Sequence, residues 1–236
     1  MAKTSKAKPE SAPLTRLRAR TRALLIDAAL ELFGERRMRV PAIHEIAAQA
    51  GVATGTFYNY FRTREELLEA AIVERAERLQ KDIVGSYAAV ADPAERVAIG
   101  TRRFILQAER EPMWAGGLLR VWGSTPDVLS PMLAPVLASL RAGRRQGRFT
   151  YRDEAAAADL AVGTVAAAMV RVVAHRADDE AATAVAALIL RGLGIRAAEA
   201  DEIASRPLPG PAETDARRTR IASSPTAKQR QEGIPR

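Results

Sequence analysis

Between the lysine-rich start of the chain and the Pro207–Pro211 run near its end, apolar residues recur at i, i+3, i+4 and i+7 in almost every segment. Nowhere does a stretch alternate apolar and polar residues with the period of a strand. Sheet-based folds are therefore excluded, and the expectation is an all-α protein of about nine helices. The first stripe is Thr21, Leu24, Leu25, Ala28, Ala29, Leu32 and Phe33, with Gly34 as its expected stop. A shorter one follows Pro41 (Ile43, Ile46, Ala47, Ala50) and closes at Gly51. A third short helix is expected over about Thr54 to Tyr60. Thr63-Arg64-Glu65-Glu66 fits a capping box that opens a long helix with Leu67, Leu68, Ala71, Ile72, Ala76 and Leu79 inward, to about Val84.

Further helices are expected from Asp92-Pro93 to about Arg110 and from Met113 to Trp122. Another ends near Gly143–Gly147 and starts at either Ser124/Thr125-Pro126 or Ser130-Pro131, with a kink expected at Pro135. The last two expected helices run from Asp153 to about His175 and from Asp178 to about Leu193. Both carry broad stripes of small residues, which suit either an internal core or the close approach of a dimer interface.

At 236 residues the chain is one large domain or two modest ones. Apolar residues make up 47%, enough for a real core, but aromatics are only 5%, so that core rests on Ala, Leu, Val and Ile. Cysteine is absent, which excludes disulfides, thiolate metal sites and cysteine catalysis. Two histidines, His44 and His175, are too few for most histidine metal clusters; His175, near a helix end, reads as an ordinary satisfied or exposed residue. No phosphate loop, Ser/His/Asp cluster or helical metal pair is present, and Gly192-Leu193-Gly194 lacks the third glycine of a dinucleotide fingerprint. The expectation is a non-enzyme with no cofactor and no metal. The apolar run Leu160–Val170 is flanked by Asp159 and Arg171 and is too short to span a bilayer, and the basic start leads into no apolar signal region. A cytoplasmic protein without a membrane partner is expected.

The net charge of +8 sits on the ends of the chain. Residues 1–23 carry seven cations against Glu10, a net +6, and residues 206–236 carry seven cations against three acids, a net +4. The interior is therefore slightly acidic. Such ends either attract a polyanion, nucleic acid being the commonest, or simply keep the protein soluble. Composition predicts a disordered basic arm over 1–13 and a disordered basic tail over 206–236, with domains at 14–64 and 65–205 between them.

A helix ending at Ala50, then Gly51-Val52, then a short helix bearing Thr, Tyr and Asn is what a helix-turn-helix requires. Gly51 permits the left-handed backbone of a tight turn, and Val52 fills the angle between the helices. The second helix can lie in the major groove. Thr54 and Thr56 offer hydroxyls, Gly55 allows close backbone approach, Tyr58 offers a phenol to phosphate, and Asn59 can bond adenine bidentately.

The stretch Leu25–Phe33, then Ile43–Ala47, then Ala50–Leu68 resembles the DNA-binding domain of TetR/AcrR-family regulators, nearly continuously over residues 20–70. The resemblance implies a three-helix DNA-binding domain followed by a larger helical ligand-binding and dimerisation domain. It implies a homodimer, associated through the last two helices, that places two recognition helices on palindromic operator DNA. It further implies contacts at Thr54, Thr56, Tyr58, Asn59 and Tyr60, and Ala53 and Gly55 in the same segment are candidate contacts beside them. Arg64 stands where a phosphate-gripping lysine is usual, while Phe57 and Phe61 match packing positions. Two departures stand out. Pro41-Ala42 replaces a Thr-Thr pair, removing a capping hydroxyl worth about 0.5–2 kcal/mol. His44 stands where arginine is common, and both a DNA contact and a solvent-facing role fit it.

In the second domain Tyr87, Phe104, Met113, Trp114, Trp122, Met132 and Met169 fit either an adaptable apolar pocket or ordinary core. Trp114 and Trp122 are eight residues apart, about two helical turns, and are expected to share a face. The reading that follows is a ligand-responsive transcriptional regulator, a repressor released from DNA by a small apolar effector of unknown identity. The alternatives are a constitutive DNA-binding protein without an effector, and a small-molecule binding protein whose helix-turn-helix is vestigial.

Overall fold

In the computed structural model, residues 12–35, 41–124, 130–174 and 180–210 are described. All the regular elements among them are helices: α1 (Ala12–Glu35), α2 (Ile43–Gln49), α3 (Thr54–Phe57), α4 (Arg64–Ser86), α5 (Pro93–Arg110), α6 (Pro112–Ser124), α7 (Ser130–Arg145), α8 (Glu154–Val173), α9 (Ala181–Gly192) and α10 (Ala197–Ser205). They bury two separate apolar cores. The first joins Leu25, Ile26 and Ala29 of α1 to Ile46, Phe57, Phe61 and the start of α4 at Leu67 and Ala71. The second takes over further along α4, at Ala76, Leu79 and Ile83, and is completed by α5 to α10.

Several expectations shift. α1 begins at Ala12 and runs through Gly34 to Glu35, so Ala12 and Pro13 belong to a helix rather than to the arm. Leu24, placed in the apolar stripe, is exposed, and Ile26 is buried instead. α3 is one turn, Thr54–Phe57, continued by turn bonds from Asn59 N–H to Thr56 O (3.1 Å) and from Tyr60 N–H to Phe57 O (2.9 Å). α7 starts at the second of its two candidate sites, Ser130, with Pro135 inside it. A tenth helix, α10, was not expected. It is an alanine-rich element of nine residues that buries Ala200, Ile203 and Ala204, too short for its periodicity to stand out. The last two helices of the sequence reading are thus α8 and α9, not the end of the fold. His175 and the basic residues of the arm lie outside the described residues.

The chain reaches α10 through Gly194, whose φ of +102° lies in the left-handed region that an L side chain rarely adopts. A Cβ there would also stand 2.1 Å from the Thr150 hydroxyl. Residues 206–210, read from composition as disordered, are strapped across α5. Arg102 donates to the Arg206 carbonyl at 2.5 Å, Arg103 donates to the Pro209 carbonyl, and Arg206 pairs with Glu95 at 2.7 Å. Leu208 packs on the second core. α8 is long and apolar enough to cross a membrane by length and composition, more so than its segment Leu160–Val170 suggested. In this fold it packs against α5, α6, α7 and α9.

Asp92 anchors the second domain at one corner. Its carboxylate caps α5 by accepting from Ala94 N–H (2.9 Å), and Arg148 donates to both its oxygens (3.1 and 2.7 Å) while also reaching Glu199 of α10 (2.6 Å). Burial opposes ionisation of Asp92, but the Arg148 bonds and the Ala94 amide outweigh it and hold the carboxyl below its ordinary range. A depressed carboxylate contributes stability that is present above the unfolded-state value, about 4, and is lost as pH falls through the lower folded-state value. Asp92→Asn is therefore expected to lower stability at pH 7 by about 1–3 kcal/mol. The gap to the parent protein in denaturant melts should shrink below about pH 4. A gap unchanged from pH 7 to pH 3 would show that the charge is irrelevant.

Candidate nucleic-acid interface and effector cavity

The turn between α2 and α3 is closed by two backbone bonds, Gly51 N–H to Ala48 O (3.1 Å) and Val52 N–H to Ala47 O (3.0 Å), with Gly51 at φ +68°. Val52 is partly buried against the first core, as its role in the angle requires. Phe57 is 0% exposed and Phe61 2%, so two aromatic rings, 5.9 Å apart, pin the recognition segment from behind. Arg22 of α1 lies over the Phe61 ring at 5.3 Å. With that face buried, the other is presented outward. Ala53, Thr54, Gly55, Tyr58 and Asn59 are exposed, Tyr58 at 58%, and His44 on α2 is exposed as well. Thr56 is half-buried, and Tyr60 is half-buried against the first core.

Two helix starts frame this face. α2 has Ala42 as its N-cap, so Pro41 stands just before the cap. No hydroxyl caps α2, but the reciprocal half of a capping box is present: the Glu45 carboxylate accepts from Ala42 N–H at 2.8 Å. At α4, Thr63 accepts from Glu66 N–H (3.1 Å) as a capping box predicts, but Glu66 reaches one residue further back, to Arg62 N–H (2.7 Å). Arg64 opens α4 half-buried, with its guanidinium on Glu65 at 3.0 Å.

The second domain holds a cavity of about 490 Å³ between α4, α5, α6, α7 and α8, with the exposed Asp159 in its lining. Of the seven pocket candidates, Tyr87, Phe104, Trp122, Met132 and Met169 line it. Met113 and Trp114 do not. Met113 is 43% exposed, and Trp114 is buried against α4, its indole N–H donating to the Ile72 carbonyl at 3.1 Å. The two tryptophans therefore serve different faces of α6: eight residues advance a helix by two turns and a further 80°, enough to part them. Burial pushes the Tyr87 phenol above its ordinary pKa, against the opposing pull of the Ser139 hydroxyl and the Arg96 charge. Gln80 and Thr101 also line the cavity and were missed. Their signal was a polar residue inside an apolar stripe, Gln80 lying between Ala76, Leu79 and Ile83.

An outward polar face held behind two phenylalanines, joined through one helix to a cavity-bearing helical domain, defines a helix-turn-helix regulator. Residues 25–71 match the bacterial regulatory proteins of the tetR family, and residues 92–206 match the tetracyclin repressor-like C-terminal domain. The fold superposes on the crystal structure of RolR in complex with resorcinol with a TM-score of 0.70 at 35% identity, covering 83% of this chain and 98% of that one. FadR of Bacillus halodurans shares the fold (TM-score 0.59, 24% identity, 74% of this chain and 99% of that one). The regulator BetI of Rhizobium meliloti is 38% identical over 77 residues, which are 33% of this chain and 38% of that protein. The chain matches less than half the length of the curated relatives. The chain belongs to the TetR family of transcriptional regulators, which are not enzymes.

Gly55 offers a clean test of the face. A Cβ built there meets no atom within 4 Å, and its backbone is ordinary helix. Gly55→Ala is expected to leave the free protein as stable or up to about 1 kcal/mol more stable, while weakening DNA binding because the methyl blocks close approach to the duplex. Thermal melts and gel shifts on the same sample read both. Unchanged DNA affinity would remove Gly55 from the interface.

Proposed function

We propose that this chain is a ligand-responsive repressor that binds palindromic operator DNA as a homodimer and is released by a small, largely apolar effector. The observation that carries this reading is the pairing of the exposed Thr54, Tyr58 and Asn59 with an apolar cavity on the same α4 frame. Thr54, Thr56 and Asn59 suit base edges, and Tyr58, Arg64 and His44 suit phosphate. RolR, whose structure was solved with resorcinol, supports a small-molecule effector. The dimer is assigned to α8 and α9, where Val170 and Leu188 leave large apolar side chains more than half exposed beside the exposed small residues Ala167 and Ala184.

Footprinting of the intergenic DNA beside the protein's own gene tests the reading. The expected result is two protected half-sites about one helical turn apart, related by two-fold symmetry. Uniform protection of all duplexes would support a constitutive, sequence-indifferent binder instead. Leu188→Glu is expected to give a folded monomer by sedimentation with at least a tenfold loss of operator affinity. A Leu188→Glu dimer of parent affinity would place the interface elsewhere.

A further inference from the structure

The cavity wall is apolar apart from a few groups, and two of them stand out because neither has a side-chain partner among the described residues. Gln80 on α4 is 8% exposed and Thr101 on α5 is 6% exposed. Both border the cavity, and neither side chain has a hydrogen bond among the described residues. Their polar atoms are not among the buried unpaired ones, so they open onto the cavity, where a bound molecule can pair with them. Ser139, the third buried polar residue, differs: its hydroxyl donates to the Pro135 carbonyl at 3.1 Å. A carboxamide presents both donors and an acceptor, and a threonine hydroxyl does the same on a smaller scale. Neither carries charge, and of the two charged residues at the wall Arg96 is engaged by the Val90 carbonyl at 2.6 Å while Asp159 is exposed, so the group that pairs with Gln80 and Thr101 is neutral and both donates and accepts. A hydroxyl meets that description. The rest of the wall selects the body that carries it: Phe104 and Trp122 offer ring faces and edges, and Met132 and Met169 offer sulfur, which favours contact with aromatic rings.

We propose that the effector is a small hydroxylated aromatic compound, and that Gln80, assisted by Thr101, is the specificity-determining residue that reads its hydroxyl. This rests on the cavity being the effector site. The position of Gln80 gives the contact a direct route to function, since the same helix carries Leu67 and Ala71 in the core of the DNA-binding domain. A ligand bonded to Gln80 acts on α4 without an intermediate element.

The test uses hydroxyl and methyl isosteres as probes. Phenol against toluene and 2-naphthol against 2-methylnaphthalene are titrated calorimetrically into the full-length protein and into Gln80→Leu and Thr101→Val. In the parent protein each hydroxylated probe is expected to bind at least about tenfold more tightly than its methyl partner, ~1.4 kcal/mol. In Gln80→Leu that ratio should fall to threefold or less, through loss of hydroxyl affinity with methyl affinity kept or raised. Thr101→Val should reduce the ratio by a smaller factor. Gln80→Leu replaces an amide that has no protein partner with an apolar side chain on an apolar wall, so its melting temperature should match or exceed that of the parent, which separates specificity from folding. A ratio unchanged in Gln80→Leu overturns the assignment of Gln80 while leaving the cavity reading intact. Benzoate or cyclohexanol binding more tightly than phenol overturns the ligand class. If none of the probes binds the folded parent protein, the ligand class is overturned while the reading of the cavity as the effector site stands.

Discussion

Everything in this molecule hangs on α4 being common to two apolar cores. Its first turns contribute Leu67 and Ala71 to the DNA-binding domain, and its later turns contribute Ala76, Leu79 and Ile83 to the second domain. A helix is stiff along its axis, so neither core can tilt relative to the other without unpacking one end of α4. Arg78 strengthens the join from outside, reaching Asp27 of α1 and Glu74 of α4 at 2.6 Å each. The recognition face is therefore positioned from a distance. Phe57 and Phe61 fix it to the first core, and α4 fixes that core to the domain with the cavity.

α6 grips the same helix. Trp114 donates to the Ile72 carbonyl, Arg75 holds Glu111 through two bonds (3.1 and 2.9 Å), and the Arg75 guanidinium lies 5.8 Å from the Trp114 ring centroid. Gly117 completes the seam: a Cβ at that position would stand 2.4 Å from Ile72 Cδ1, so only glycine lets the helices meet so closely without a shift. Next to it along α6, Leu118, Leu119 and Trp122 line the cavity. Interfaces this closely packed move between discrete arrangements more readily than they deform continuously.

Much of this was legible in the residues alone. The helix-turn-helix announced itself because its signals are local: a glycine needing a left-handed backbone, a valine behind it, and polar residues in the next turn. The caps at Thr63, Asp92 and Asp153 were legible for the same reason. The errors share a different cause, tertiary context. Leu24 and Ile26 both look apolar, and only the placement of α4 decides which is buried. Trp114 and Trp122 part company because α6 is covered by α4 on one side and by the cavity on another. The tail segment 206–210 reads as punctuation, yet Arg102 and Arg103, more than a hundred residues earlier, supply donors for its carbonyls. Such long-range pairings leave no periodic trace.

The alanine-rich composition has a further consequence for how the family member at hand can diversify. On the α8 side the cavity is bounded by Ala158, Ala161, Gly163 and Ala166. Nearly every substitution at these positions enlarges a side chain, and a cavity wall accommodates added methyl groups that a filled core would reject. Narrowing the chamber is thus a single-nucleotide-scale event available at several sites. Widening it requires trimming Phe104 or Trp122, at greater cost to packing. Drift in ligand preference is consequently biased in one direction, toward smaller molecules, and proceeds without disturbing the surface that meets DNA.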